Sequence, residues 1–312
     1  MNFKNKSVLV TGADGFIGSH LVEALLKKGA NVSAYVRGSS HLVLRNLKDI
    51  IGKFDLISGD IGSMDAVSLI KKINPDIIFH LSADAYVPNS FDHPIEVMES
   101  NLKGTLNVLH AAMDSNVKRV VVTSSSEIYG SHDEAINEET PLFPSSPYAA
   151  SKVAADRYAF AYHNTYGLPV SIIRPFNTYG PRHTYDCPPI FIYQALRNLP
   201  LTINGDGHQT RDLTYISDMI KGFLLMGSEK SAIGKAVNFG TGKDTQIFQL
   251  ARLIVELCKS KSTIKFGPPR TSEVRRLLCD YSKAKKLFDW EPKINLDEGL
   301  EMNIEYERRN LK

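Results

Sequence analysis

Cysteine is scarce in this chain of 312 residues: there are three, Cys187, Cys258 and Cys279. An odd, widely spaced set is not a disulfide framework, and a reducing compartment is the simpler expectation. Long apolar runs are missing too. None approaches the roughly 20 residues that cross a bilayer. Met1 to Lys6 runs straight into Val8-Leu9-Val10, with no apolar leader before a small-residue cleavage site. Nor is there an excess of one charge. Lys and Arg number 37 against 34 Asp and Glu, a net of +3. That gives no electrostatic case for a nucleic-acid or membrane-surface partner. The nine histidines do not pair with Cys or carboxylates at metal-ligand spacing, so no metal is expected. There is no internal repeat and no low-complexity linker. The expectation is a cytoplasmic protein.

What is present is a globular composition, 43% hydrophobic and 23% charged. The length suits about two domains, or one large α/β unit. Strands are expected at Ser7–Thr11, Val32–Val36, Phe54–Ser58, Asp76–Leu81, Arg119–Ser124 and Val170–Arg174. Helices are expected between them. One carries Ile17, Leu21 and Leu25 and ends at Gly29; one ends before Asn74-Pro75; one is long, Glu96–Asn116; one is Tyr148–Tyr166. This alternation predicts a Rossmann-type, doubly wound parallel sheet. After Pro175 the rhythm changes. Asn177–Pro189 is rich in Gly, Pro and polar residues. Helices at Ile190–Asn198 and Ser217–Met226, a strand at Val237–Phe239, and two helical patterns around Gly267-Pro268-Pro269 come after it. The expectation is a dinucleotide-binding domain over 1–176 plus about 216–240. A smaller interleaved α/β substrate domain occupies 177–215 and 241–312.

Strand one leads into Gly12-Ala13-Asp14-Gly15-Phe16-Ile17-Gly18 and then a helix. Glycine is needed where the chain turns sharply and where backbone approaches a pyrophosphate. The helix N-terminus offers unpaired N–H groups and a positive dipole end. The alternative is an ordinary tight βα turn. The glycine spacing is not the usual G-x-G-x-x-G, and the acid that usually ends the second strand is missing. Arg37, with Ser39 and Ser40, stands there instead. An acid would bind a ribose 2′-hydroxyl, whereas Arg accommodates a 2′-phosphate. The cofactor is therefore NAD or NADP, with Arg37 tilting toward NADP; the alternative is a solvated loop arginine. Asp60, after the third strand, is placed to touch the adenine, or else to cap a helix.

Ser124-Ser125-Ser126-Glu127-Ile128-Tyr129-Gly130 comes after the fifth strand, where parallel sheets bind ligands. Tyr148 and Lys152, four apart, share one helical face. An ammonium beside a phenol favours phenolate, making Tyr148 a base for an alcohol proton. Ser125 can hold the substrate oxygen. The alternative is a core tyrosine with a surface lysine.

These pieces, together with Phe79-His80-Leu81-Ser82-Ala83, Arg174-Pro175-Phe176-Asn177-Thr178-Tyr179-Gly180-Pro181-Arg182, Gln209-Thr210-Arg211-Asp212 and Asp280-Tyr281-Ser282-Lys283-Ala284, carry a resemblance. The chain resembles the extended short-chain dehydrogenases/reductases, the NAD(P)-dependent nucleotide-sugar epimerase and dehydratase family, over nearly its whole length. The resemblance implies a nucleotide-diphosphate sugar as substrate, with Asn177 at the diphosphate region and Arg211 and Arg270 clamping it. For each Arg the alternative is a surface ion pair. It further implies substrate contacts from Ser126 and Arg182. It implies cofactor contacts from Gly12, Gly15, Phe16, Ile17, Gly18, Ile61, Leu81, Ala83, Tyr148, Lys152 and Pro175. It implies a homodimer through the helices 96–116 and 148–166.

Within that family Glu127 is the informative residue. Simple C4 epimerases usually place a small residue there. The Ser-Ser-Ser-Glu-Ile-Tyr-Gly run is similar to that of the 4,6-dehydratases acting on GDP- and UDP-sugars, and to that of UDP-glucuronate decarboxylases. The dTDP-glucose dehydratases carry Asp-Glu where this chain has Ser126-Glu127, which leaves the departing C6 hydroxyl without an assigned acid. The expected reaction is 4,6-dehydration, with Glu127 as the C5 base; alternatively Glu127 only orients a loop. The other readings are C4 epimerisation, decarboxylation with Arg182 or His183 as the cation for the C6 carboxylate, and a dinucleotide-sensing module without catalysis. The intact Ser125, Tyr148 and Lys152 set argues against the last. Cys187 is expected to be an ordinary loop residue near the substrate.

Overall fold

A computed structural model describes residues 2–38 and 43–311. Strand β1 (Ser7–Thr11) carries Val8, Leu9 and Val10, all fully buried. Strands that are apolar on both faces suit a parallel sheet covered on both sides. The Gly15 turn opens α1 (Phe16–Lys27). Then come β2 (Asn31–Val36), β3 (Asp55–Ser58), α2 (Asp65–Ile73) and β4 (Ile77–His80). Asn74, in the left-handed region at φ 47°, ends α2 ahead of Pro75. Two short helices, α3 (Asn89–Asp92) and α4 (Pro94–Met98), lead through a π turn, Glu99–Lys103, into α5 (Gly104–Met113). Next are β5 (Arg119–Thr123), α6 (Pro147–Tyr166) and β6 (Val170–Pro175).

The seven-stranded sheet has the order β10-β6-β5-β4-β1-β2-β3, where β10 is Ala236–Phe239. Strands β1 to β6 pair in parallel. The strand order reverses between β1 and β4, which both end at the same edge. Ligands of open α/β sheets bind outside such a switch point, at the carboxyl ends of the strands. A core of Leu9, Ile78, Val120, Val122 and Ile172 packs against Ile70, Val108 and Leu109 of the covering helices.

The remaining elements are β7 (Asn177–Tyr179), α7 (Cys187–Leu196), β8 (Leu201–Asn204), β9 (Thr210–Tyr215), α8 (Ile216–Ser228), β11 (Asp244–Gln246), α9 (Ile247–Cys258), β12 (Ile264–Gly267), β13 (Arg276–Leu277), α10 (Ser282–Phe288) and α11 (Leu296–Asn310). Strand β9 pairs with β7, β11 and β13, and β8 pairs with β12. The chain forms two compact units. The first is Met1–Ile128, Ser146–Arg174 and Ile220–Val237; the second is Tyr129–Ser145, Pro175–Met219 and Asn238–Lys312. Tyr129–Ser145 falls in the second unit, although the sequence pattern places it in the first. Its ties explain why: Tyr129 donates to Asn238 Oδ1 at 2.7 Å, and Glu138 accepts from the Asn238 N–H.

Two expectations are corrected by packing. The helix expected at 96–116 begins at Pro94, is interrupted by the π turn and ends at Met113. Within that turn the Asn101 side chain bonds to the backbone of Asp84. The stretch 177–189 is not all loop: it holds β7 and the first turn of α7, with Cys187 as its first residue.

Candidate active site

The glycine turn packs backbone directly against backbone. Gly12 is at φ +67°, and a Cβ there would sit 2.9 Å from the Leu81 carbonyl carbon and the Ser82 nitrogen. A Cβ on Gly18 would lie 2.2 Å from the Gly12 oxygen. Gly15 is the N-cap of α1 and supplies no side-chain cap. A helix start without a side-chain cap suits an anion such as a pyrophosphate. Phe16 and Ile17 are half-buried at the same helix start. Asp14, between the glycines, turns away from this helix end. Its carboxylate accepts the N–H groups of Arg45, Asn46 and Leu47 at 2.8, 2.9 and 2.9 Å. That clamp ties the turn to the segment after β2, a role that the sequence pattern does not suggest.

Arg37 comes directly after β2 as an exposed side chain, and Ser39 and Ser40 lie outside the described residues. Asp60 is exposed and accepts the Gly62 N–H at 2.9 Å. It does not cap a helix: α2 starts further on, after Met64. Ile61 is buried, with its carbonyl fixed by Asn107 Nδ2. Leu81 and Ala83 come after β4, and Pro175 ends β6.

Ser146 opens α6 by accepting the Ala149 N–H, with Pro147 at the first position. Tyr148 and Lys152 then lie one turn apart, 7% and 4% exposed. The alternative of a surface lysine is therefore overturned. Lys152 Nζ donates to the Thr123 carbonyl at the end of β5. Burial lowers its pKa to about 8, opposed by the Asp156 carboxylate one turn on. The ammonium remains mostly charged at neutral pH. Asp156 is itself held by Arg174, at 2.8 and 3.0 Å. Ser125 and Glu127 come after β5 and are half-buried; the Glu127 N–H donates to Ser125 Oγ at 3.2 Å. Ser126 is buried beside them. Glycine turn, phenol, ammonium and carboxylate are thus all carried by the first unit.

The second unit carries the other expected substrate residues. Asn177 opens β7, and its Oδ1 is buried without a hydrogen-bond donor among the described residues. Arg182 is at φ +73°, next to His183, whose Nε2 lies 3.4 Å from the Asp186 carboxylate. Arg211 donates to Glu273 at 2.8 Å and to the Thr210 and Val274 carbonyls. Arg270 is exposed. Burial and then Asp186 push the Cys187 thiol up to about 11, while the charges of Arg270 and Arg211 pull it down. Both guanidinium groups therefore bear on the N-terminus of α7. Asp212, neighbour of Arg211, is structural. It accepts from the Thr241 N–H and hydroxyl and from the Gly242 and Cys279 N–H groups. Burial raises its pKa to about 6. No metal-holding group of His, Cys, Asp and Glu occurs among the described residues. Nor is any helix there long and apolar enough to cross a membrane.

The GDP-mannose 4,6 dehydratase family profile matches residues 9–303. A Bacillus subtilis protein named an uncharacterized UDP-glucose epimerase, YtcB, is 35% identical, covering 96% of this chain and 97% of its own. UDP-glucuronic acid decarboxylase 1 of Xenopus tropicalis is 35% identical over 98% of this chain and 73% of its own. The solved UDP-glucuronic acid 4-epimerase of Bacillus cereus, in complex with UDP-glucuronic acid and NAD, superposes with a TM-score of 0.90 at 30% identity, covering 97% and 99% of the two chains. The glycine turn, the Tyr148/Lys152 helix and these matches lead to one conclusion: the chain belongs to the extended short-chain dehydrogenase/reductase family of nucleotide-sugar epimerases and dehydratases.

Proposed function

We propose that this chain dehydrates a nucleotide-diphosphate hexose across C5 and C6 to the 4-keto-6-deoxy sugar. The observation that carries the reading is Glu127. It is a half-buried carboxylate two residues after Ser125, at the carboxyl edge of the sheet and in the same unit as Tyr148 and Lys152. Ser125 holds O4 of the sugar and Tyr148 takes its proton, with the Lys152 ammonium favouring the phenolate. A nicotinamide held by the glycine turn would supply the hydride acceptor for C4 and the hydride for C6, with the proton held by Tyr148 going to C5, so that there would be no net change of redox state. The C4 ketone acidifies the C5 hydrogen, and Glu127 removes that proton. It balances the one that the departing C6 hydroxyl needs to leave as water. Base assistance of this kind is worth about 10²–10⁴-fold.

The dinucleotide is held by Gly12, Gly15 and Gly18, with Phe16, Ile17, Asp60, Ile61, Leu81, Ala83 and Pro175 around it. Arg37 favours the 2′-phosphate of NADP. Asn177, Arg182, Arg211 and Arg270 hold the sugar nucleotide, with Ser126 beside the reacting carbons. The orphan Oδ1 of Asn177 and the two cations about Cys187 support that assignment. The protein works as a homodimer through the faces of α4–α5 and α6.

The second reading is C4 epimerisation, favoured by the names of the Bacillus relatives. It uses Ser125, Tyr148 and Lys152 and leaves Glu127 idle. Glu127→Gln separates the two, since it keeps the shape and removes the base. Under the dehydratase reading it still oxidises C4, accumulates reduced cofactor and no longer exchanges C5 hydrogen with deuterated water. Its overall rate falls about 10²-fold or more. A variant that turns over at the parent rate contradicts the assignment.

A further inference from the structure

A buried chain of hydrogen bonds runs from the glycine turn to the helix of Tyr148, and it has one direction. Thr11 Oγ1, at the end of β1, accepts the N–H groups of Leu81 and Ser82, both at 3.1 Å. Its single hydrogen is left for His80 Nδ1, 2.8 Å away. Nδ1 is thus an acceptor, and the ring proton sits on Nε2. From there it is given to Thr105 Oγ1 at 3.1 Å, whose own hydrogen goes to the Asn101 carbonyl at 2.6 Å. The Asn101 amide accepts from the Asp84 N–H at 2.8 Å and donates to Ser151 Oγ at 3.0 Å. The Ser151 hydroxyl donates to the Tyr148 carbonyl at 2.7 Å. Every side chain in this series is at most 5% exposed.

Imidazole suits the midpoint because it offers one acceptor and one donor at separate edges without a charge. A protonated ring would turn Nδ1 into a donor facing the Thr11 hydrogen and add a second buried cation near Lys152. Burial, then the charge of Lys152, lower the His80 pKa to about 3, so the ring is neutral at working pH. The other charged groups bearing on Lys152 are Asp156 on α6 and, through it, Arg174 on β6.

We propose that His80 is a positioning residue whose neutral ring links the glycine turn to the first turn of α6, making dinucleotide binding and placement of Tyr148 and Lys152 one coupled event. This rests on the dinucleotide reading of the turn, but not on Tyr148 acting as the base. The test therefore reads binding. NAD and NADP are titrated by calorimetry into the whole protein, the single variants Thr11→Val and Ser151→Ala, and the double variant. Coupling predicts that Ser151→Ala, at the far end, weakens binding several-fold. The double variant then loses no more than the worse single. Thr105→Val, which removes the middle hydroxyl, weakens binding about tenfold, and Thr105→Ser restores it. Additive losses in the cycle overturn the proposal. So does a Thr105→Val protein with a lower melting temperature and parental affinity, or a failure of Thr105→Ser to rescue. The Thr105 pair keeps the test open if Thr11→Val does not fold.

Discussion

Tyr148 and Lys152 gain their chemistry from where α6 places them. The phenol is buried, and the ammonium is fixed by the Thr123 carbonyl and lowered to about 8 by burial. Tyr148→Phe removes the hydroxyl proposed to take the O4 proton and leaves the ring to pack. Turnover should vanish while dinucleotide affinity, measured by calorimetry, stays near the parent value. Near-parental turnover would end the assignment of Tyr148. Arg37 makes a second prediction at this scale. It is exposed just past β2, where the acid that would bind a 2′-hydroxyl is missing. Arg37→Ala should weaken NADP binding about tenfold or more, while NAD binding changes little. Equal losses for the two cofactors would make Arg37 a loop residue. The Tyr148/Lys152 pair could be read as one helical face because the four-residue spacing alone places it there. The roles of Asp14, His80 and Asn101 could not be read in this way. Their roles are hydrogen bonds to partners up to 50 or 69 residues away, and no local pattern encodes such partners.

The alternating elements of the first unit were readable from β-branched runs and helical spacing, because each such element buries a whole face. The π turn at Glu99–Lys103 was hidden, since its sequence keeps the helical pattern and only tertiary bonds of Asn101 mark it. The short strands β7, β9, β11 and β13 of the second unit were missed as well. Polar-rich strands such as Asn177–Tyr179, Thr210–Tyr215 and Asp244–Gln246 lack the continuous apolar run that marks β1, β4 and β5. Helix faces also carry a prediction. On α4–α5, Ile95, Met98 and Met113 are 67%, 40% and 39% exposed; on α6, Tyr158, Phe160 and Tyr166 are 47%, 44% and 60% exposed. Apolar side chains gathered on neighbouring helices suit burial against a second copy. Light scattering behind a sizing column should give twice the chain mass for the parent, and the chain mass for Phe160→Glu. A parent that runs as a monomer at working concentration contradicts the dimer.

At the scale of the molecule, the proposed roles divide between the two units. The first carries the switch-point edge of the sheet, with the glycine turn, Ser125, Glu127, Tyr148 and Lys152. The second carries Asn177, Arg182, Arg211 and Arg270 on short strands and loops. The family was legible in the sequence because both sets of motifs stand in order along one chain. The reaction was less so, because epimerases, decarboxylases and dehydratases share the oxidation at C4 and part ways only at the keto intermediate. Loss of water is therefore the property to read. The parent protein is incubated with dinucleotide and a panel of nucleotide-diphosphate hexoses, and product mass is read alongside cofactor absorbance. Dehydration gives a product lighter by one water, with no net change in the cofactor. A product of unchanged mass with inverted C4 would contradict it.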